Sequence, residues 1–392
     1  MKNKKQNNLK NKNILEGSRA VALTIKNIEP EVISAYPITP QTHIVEDLAK
    51  FKADGQADYE YVRAESEFAA ASIILGASTA GSRAYSATSS QGLLLMTEVV
   101  FNIAGLRLPV VMTVANRGVS SPITIWNDHQ DAMTVRDAGW LMFFAENHQE
   151  AIAQHLLAYK VAEKLKLPAM VNMDGFVLTH SYEPVIIPNK SAIKKFLPKY
   201  KPASHEYLNP KEPVTMGSFA RPQYYQEIRQ DLHLALKNST NEIEKEFKLL
   251  QKTVGKDIAT SDSSALLEYY GPKKAKTVIV AMGSMAGTMK DVSDEMKSVA
   301  VLKIKSFRPF PYEAVKKALK ANPNIAVIEK ATSLGAVSPL AQEINQALNN
   351  NKKNVHSFVC GLGGRDVTKK IIKKAIKITK EKNKSSQSLY IT

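Results

Sequence analysis

Along the first 180 positions, apolar residues gather in short β-branched runs, and helically spaced stretches separate those runs. The runs predict strands at Val32–Ala35, Tyr59–Arg63, Arg83–Ser86, Pro109–Val114, Leu141–Ala145 and Ala169–Met173. Helices are expected between them over Glu16–Lys26, Thr42–Ala53, Glu67–Ala80, Gln91–Ala104 and Gln149–Lys164. Such alternation argues for an α/β fold, a parallel sheet with helices on both faces. Ligands in such sheets sit at the carboxyl ends of the strands. The turns YPITP, RAESE, TSSQG and ANRG all fall there, so four polar or unusual turns are expected on one rim.

The pattern then changes. Residues 181–221 are rich in proline and polar residues and read as a connection wrapped over the first domain. Residues 222–255 read as one long helix, with proline early and glycine at its end. From Thr277 a second α/β pattern begins, with strands in TVIVAMGS, VAVLKIKSF, IAVIEK and VHSFVCGLGG. Helices are expected at Ala286–Ser298, Tyr312–Ala321, Pro339–Asn349 and Thr368–Lys380. The expected organisation is a basic tail at 1–13, an α/β domain at 14–180, the connection and long helix at 181–256, a smaller α/β domain at 257–380 and a tail at 381–392.

Charge alters this picture little. The net +16 invites a nucleic-acid reading, but residues 1–13 carry five lysines and no acid, and residues 369–384 carry eight lysines and one glutamate. Together these ends hold +12, leaving +4 for residues 14–368. Solvated tails and helix faces account for such runs, and steering of an acidic partner is the functional alternative. No nucleic-acid partner is expected. The single cysteine, Cys360, excludes an internal disulfide and a cysteine-ligated iron–sulfur cluster within one chain, and it fits a reducing cytoplasm. No apolar run approaches the roughly 18 residues that span a bilayer, and the basic N-terminus has no apolar segment behind it.

Each rim turn admits a structural and a chemical reading. In YPITP the two prolines stiffen the chain and aim Thr39 in one direction; the plain alternative is a helix cap from Thr39 or Thr42. RAESEF offers Glu65 and Glu67 at a helix start, where the dipole favours a carboxylate, and Glu67 would begin the buried face. A glutamate facing an apolar cleft can also share a proton with a ligand nitrogen. The stretch SATSSQG places hydroxyls, Gln91 and Gly92 where helix N–H groups are free, either to cap or to cradle a polar ligand. Arg117, ending a strand, either pairs with an acid or grips a substrate carboxylate with two parallel hydrogen bonds.

Asp128, His129 and Asp131 form a charged loop without recognised metal-ligand spacing, so no metal site is assigned. GSMAG (283–287) reads as a structural turn, and His148 and His155 are expected on a helix surface. P-loop, dinucleotide, zincin and nucleophile-elbow motifs are all missing.

In order along the chain stand AYPITPQT, RAESEFAAAS, ATSSQGLLLM, ANRG, NDHQD and SFRPFPYEA. This set resembles the alpha chains of pyruvate:ferredoxin oxidoreductases, thiamine-diphosphate enzymes of the 2-oxoacid:ferredoxin oxidoreductase family, over about residues 14–368. The resemblance implies a pyrimidine-binding domain followed by a transketolase C-terminal-like domain. It implies that Pro37, Ile38, Thr39, Glu67, Ser90, Gln91 and Gly92 line the cofactor cleft. Glu67 would hydrogen-bond the aminopyrimidine and favour its imino tautomer, and Arg117 and Thr39 would hold the substrate carboxylate. EGSRAVA (16–22) departs from the asparagine–glutamate pair of relatives.

The family's diphosphate and magnesium motif is missing too, since Asp174-Gly175 follows methionine. The resemblance therefore implies a beta subunit carrying the diphosphate, Mg2+ and a [4Fe-4S] cluster, gamma and ferredoxin-like delta subunits, ferredoxin as acceptor and coenzyme A as co-substrate. A cytoplasmic hetero-oligomer with two copies of each chain is expected. The implied reaction is reversible oxidative decarboxylation of pyruvate to acetyl-CoA and CO2. Alternatives are the same chemistry on 2-oxoglutarate, a branched-chain 2-oxoacid or oxalate, and a non-catalytic basic scaffold.

Overall fold

The computed structural model describes residues 12–260, 262, 264–349, 353–381 and 387–392. Its strands are β1 (Asn13–Glu16), β2 (Val32–Ala35), β3 (Glu60–Arg63), β4 (Ala84–Thr88), β5 (Val111–Asn116), β6 (Leu141–Phe144), β7 (Ala169–Asp174) and β8 (Tyr182–Val185). They continue as β9 (Leu267–Tyr270), β10 (Thr277–Ala281), β11 (Val299–Ile304), β12 (Ser306–Arg308), β13 (Asn324–Glu329), β14 (Asn354–Val359) and β15 (Leu389–Tyr390).

The first sheet runs β12-β6-β7-β5-β4-β2-β3, and every neighbouring pair in it is parallel except β12 with β6. β4, β5, β6 and β7 are buried along their whole length, which their continuous apolar runs require of strands covered on both faces. The chain steps from β2 outward to β3, then returns to the other side of β2 for β4. That reversal opens a crevice at the carboxyl ends of β2 and β4, where YPITP and SSQG begin.

The second sheet runs β15-β14-β13-β10-β11-β9, with only β9 antiparallel. The nine-residue apolar run 299–307, read from sequence as one strand, serves both sheets: it breaks at Lys305, so β11 stays in the second sheet and β12 crosses to the first. A buried ion cluster forms at this crossing. Lys303 lies 2.5 Å from Glu146, 2.8 Å from Glu268 and 3.2 Å from Glu150, and Lys305 lies 3.1 Å from Glu150 and 2.8 Å from Asp262.

Other expectations change with packing. The helix expected over 222–255 is two helices, Pro222–Asn238 and Thr240–Val254, because Ser239 turns its N–H and hydroxyl back onto the Leu236 carbonyl. The Gln91–Ala104 helix likewise divides into Ser90–Leu95 and Thr97–Gly105 at Met96. His148 and His155 are fully buried rather than on a surface, since helix His148–Leu165 is enclosed by the sheet on one side and by helices Gly17–Ile28 and Thr240–Val254 on the other. His155 bonds Thr113 Oγ1 and the Ala151 carbonyl, and burial pushes its imidazole down to about 4.

Residues 1–11 of the expected N-terminal tail lie outside the described residues, while Asn13 already pairs with Val185 in a β1–β8 ribbon. Leu389–Tyr390, expected in a tail, form β15 against β14.

Burial alone would raise the Glu150 carboxyl, but Lys303 and Lys305 outweigh it and hold it down to about 2. The folded value lies below the unfolded 4.5, so this group's contribution to stability is complete above that pH and is lost as the pH falls from there toward about 2. Lys303→Ala strands buried carboxylates and should cost about 3–5 kcal/mol. Urea unfolding from pH 7 to pH 3 checks both: the wild type loses stability toward acid, and the variant starts lower and loses less.

Candidate functional site

The turn after β2 is held from beneath by Gln41. Its fully buried amide Nε2 donates to the Ala87 carbonyl of β4 (2.6 Å) and to the Tyr36 carbonyl (3.3 Å), while its backbone N–H reaches the Ile38 carbonyl at 2.8 Å. Pro37 and Thr39 are left exposed and Ile38 half-buried. Thr39 lies against Arg117, whose Nη1 donates to the Thr39 carbonyl at 3.0 Å and whose Nε donates to the Thr124 carbonyl at 2.6 Å. Arg117 is 7 % exposed, and among the described residues its Nη2 has no hydrogen-bond partner.

Helix Glu67–Thr79 starts after β3 with Ser66 as its cap, the Ser66 hydroxyl accepting from the Ala69 N–H at 3.1 Å. Glu67 is then aimed inward and is 8 % exposed, whereas Glu65 is exposed. No described side chain or backbone group hydrogen-bonds the Glu67 carboxylate. It lies over Gly92, where a Cβ would stand 2.7 Å from Glu67 Oε1 and 2.6 Å from Thr88 Oγ1. Glycine is needed there because the two elements approach too closely for any side chain. Around it, the hydroxyls of Ser86, Thr88 and Ser89 and the Gln91 Nε2 are buried without partners among the described residues. Buried polar atoms left unpaired in one place call for a ligand that pairs them.

Asp131 ties the two halves of this rim together. It is fully buried, and its Oδ2 accepts from the backbone N–H groups of Ser90 and Arg117, each at 3.0 Å. Oδ1 accepts from Asn116 Nδ2 at 3.0 Å and from the Ala132 N–H at 2.7 Å. Complete burial pushes the carboxyl up to about 6, against the pull of the Asn116, Ser90 and Arg117 hydrogen bonds. Ser90 sits in the left-handed region at φ 46°, a conformation that Asp131 below and the Gly118 carbonyl (2.6 Å from Ser90 Oγ) sustain.

The NDHQD loop is an interdomain clamp. Asp128 accepts from the Gln130 and Gly363 N–H groups, and the His129 N–H reaches the Lys330 carbonyl at 2.8 Å. His129 Nε2 lies 2.5 Å from Asp174 Oδ1, and Lys330 Nζ lies 2.8 Å from Asp174 Oδ2. Burial would raise the Asp174 carboxyl, but Lys330 and His129 hold it well below the usual carboxylate range. The GSMAG turn joins the same cluster through Ser284, which donates to Asp174.

Sequence reasoning passed over Gln41 and the structural work of Asp131. Gln41 had a signal in its place directly after the second proline, where a polar side chain can reach back under the turn; Asp131 had none, because its partners lie 14 and 41 residues away.

A groove of about 960 Å³ lies elsewhere, between helix Pro222–Asn238 and the 308–314 segment, and none of the rim residues line it. The rim is instead open and bordered by exposed apolar side chains, among them Tyr36, Phe68, Leu95, Ile123 and Trp126.

Residues 24–248 match the family described as pyruvate flavodoxin/ferredoxin oxidoreductase, thiamine diphosphate-binding, and residues 275–372 match pyruvate:ferredoxin oxidoreductase core domain II. The chain belongs to the pyruvate:ferredoxin oxidoreductase family. It is 45% identical to the pyruvate synthase subunit PorA of Methanosarcina barkeri over 95% of this chain and 93% of that one. It is 42% identical to PorA of Pyrococcus abyssi, over 94% and 93%. It is 38% identical to the ketoisovalerate oxidoreductase subunit VorA of Pyrococcus furiosus, over 92% and 91%. In fold it is similar to a 2-oxoglutarate:ferredoxin oxidoreductase from Magnetococcus marinus, solved with 2-oxoglutarate, coenzyme A and succinyl-CoA bound, at TM-score 0.69 and 21% identity; the match covers 94% of this chain and 65% of that one.

Asp131→Asn puts an amide where two N–H groups need an acceptor, leaving buried donors unpaired at a cost of about 1–3 kcal/mol. The urea midpoint should fall accordingly. A midpoint equal to that of the wild type would show that Asp131 does not hold these turns.

Proposed function

We propose that this chain is the alpha subunit of a pyruvate:ferredoxin oxidoreductase (pyruvate synthase), which interconverts pyruvate and acetyl-CoA with ferredoxin as electron partner. Kinship with PorA chains over nearly the whole length supports it. The observation that carries the chemistry is Glu67, an inward carboxylate with no partner among the described residues, held close over Gly92 and set among several unpaired buried polar atoms. These residues fit the aminopyrimidine half of thiamine diphosphate, a flat heterocycle with polar edges.

When bound, the cofactor supplies a carbon nucleophile and an electron sink for loss of CO2. Glu67 shares a proton with the ring nitrogen of the aminopyrimidine and so selects its reactive tautomer. Gly92 leaves the space for close approach, and Thr88, Ser89 and Gln91 offer partners for the ring's polar edges. The Pro37-Ile38-Thr39 turn forms one wall, rigidly set by Gln41. Arg117 directs its free Nη2 to the substrate carboxylate, and the Thr39 hydroxyl completes that grip.

The other half of the pocket belongs to a partner chain. Asp174, the acid of the Asp174-Gly175 pair, is already occupied by His129, Lys330 and Ser284, so it is not free to hold a magnesium ion. The sole cysteine cannot ligate an iron–sulfur cluster, so clusters, Mg2+ and the diphosphate contacts reside in beta, gamma and delta chains. The exposed apolar side chains around the rim are the surface such a partner covers, excluding water from the reaction. No described helix is long and apolar enough to cross a membrane.

In the assembled enzyme, Glu67→Gln should lower pyruvate-dependent ferredoxin reduction by roughly 10²–10⁴-fold, the usual worth of a positioned proton-sharing group. Near-normal turnover would refute the role of Glu67. The VorA relative makes a branched 2-oxoacid the competing substrate. Comparing kcat/KM for pyruvate, 2-ketoisovalerate and 2-oxoglutarate decides between them, with pyruvate expected first.

A further inference from the structure

A second cluster lies apart from the rim and plays no part in the proposed chemistry. Glu16 ends β1, His43 sits in the first turn of helix Thr42–Ala53, and His180 precedes β8. One ligand atom from each lies within 4.8 Å of the other two. The imidazoles of His43 and His180 face each other with centroids 4.6 Å apart, and His43 Nδ1 is 2.7 Å from Glu16 Oε1.

The backbone that presents these side chains is firmly set. A Cβ on Gly17 would stand 1.8 Å from the Leu178 carbonyl oxygen, so only glycine lets the two segments meet. Ser18 donates both its N–H and its hydroxyl to the Thr179 carbonyl, at 3.0 and 2.9 Å, and the β1–β8 ribbon pairs Glu16 with Tyr182. The buried Thr179 hydroxyl bonds His180 Nδ1 at 2.8 Å, fixing the ring and leaving Nε2 free, as an outer-shell partner does for a metal-binding histidine.

A cavity of about 280 Å³ opens beside Glu16 and His43, with Glu46 and Asp47 on its wall; Arg19 there is paired with Asp47.

We propose that Glu16, His43 and His180 bind a divalent transition-metal ion of the zinc class, with water in the remaining coordination positions. Two imidazoles and a carboxylate are the donor set that zinc takes at about 2.0–2.2 Å per bond. Closing onto the ion requires shifts of about 1 Å in the side chains, from the present separations to the spacing those bonds impose. The ion would brace the helix that follows YPITP against the turn at 176–180. That turn carries Phe176, whose ring is 4.6 Å from His180 on one side and 4.6 Å from Trp126 on the other. The brace thus reaches the loop whose Thr124 carbonyl holds Arg117.

The test is titration of the chelator-treated full-length chain with zinc chloride by calorimetry, with cobalt(II) absorption as a second readout. One equivalent should bind and raise the melting temperature. His43→Ala and His180→Ala should each weaken binding by more than roughly 100-fold, beyond the ~10–100-fold that loss of an outer-shell partner costs. Both variants should melt like the wild type in chelator, which separates lost ligation from misfolding, and Glu16→Gln provides a third, isosteric check. No zinc binding by the wild type, or equal binding by the wild type and the histidine variants, overturns the proposal. Neither result bears on the role of Glu67.

Discussion

A carboxylate taken wholly out of water must be surrounded by donors, and Asp131 meets that requirement by drawing two turns to itself. Ser90 opens the helix after β4 and Arg117 directly follows β5, so their N–H groups converge on one oxygen only if both strands stop at the same level. Asp131 therefore sets the height of the rim, keeps Ser90 in a left-handed conformation and fixes the backbone from which the Arg117 side chain reaches Thr39. Gln41 does the same on the far side, bonding the YPITP turn to β4 through Ala87. With these two anchors in place, Glu67, Gly92 and Thr88 meet at the crevice where the strand order reverses.

The two sheets are joined by charge rather than by apolar packing alone. Lys303 and Lys305 on one side of the crossing meet Glu146 and Glu150 on the other, and Lys330 meets Asp174 and Asn127. Such buried pairs add little stability compared with apolar residues of equal volume, but they admit only one docking geometry, since any other leaves charges unpaired. Under the proposed function, the pocket is completed by a second chain and needs a half-site of fixed shape. The NDHQD loop lies between the two sheets and touches both the rim and the Lys330 cluster, so it joins domain docking to rim geometry.

Exposed apolar side chains around an open cleft, beside an unpartnered carboxylate, are an incomplete arrangement for an isolated chain. Under the proposed function they form one face of a shared site.

Much of the fold was legible in the residues alone, because period and burial are local properties. The parallel strands of the first sheet, its helices and the four rim turns follow from β-branched runs, helical spacing and proline placement. That Glu67 would begin the buried face was readable from its place at the start of an apolar helix run, whereas its turning inward while Glu65 stays exposed came with the structure. Tertiary structure decided the rest. The run 299–307 divides between two sheets because its buried lysines find their carboxylates on another domain. His148 and His155 are interior because three layers close over their helix. Asp131 serves as an anchor, and Asp128 and His129 as clamps, because their partners come from distant segments. Local pattern records how a segment can fold and which of its faces avoids water. It carries no record of which distant N–H or ammonium group will meet a buried charge, since that depends on where separate elements come to rest.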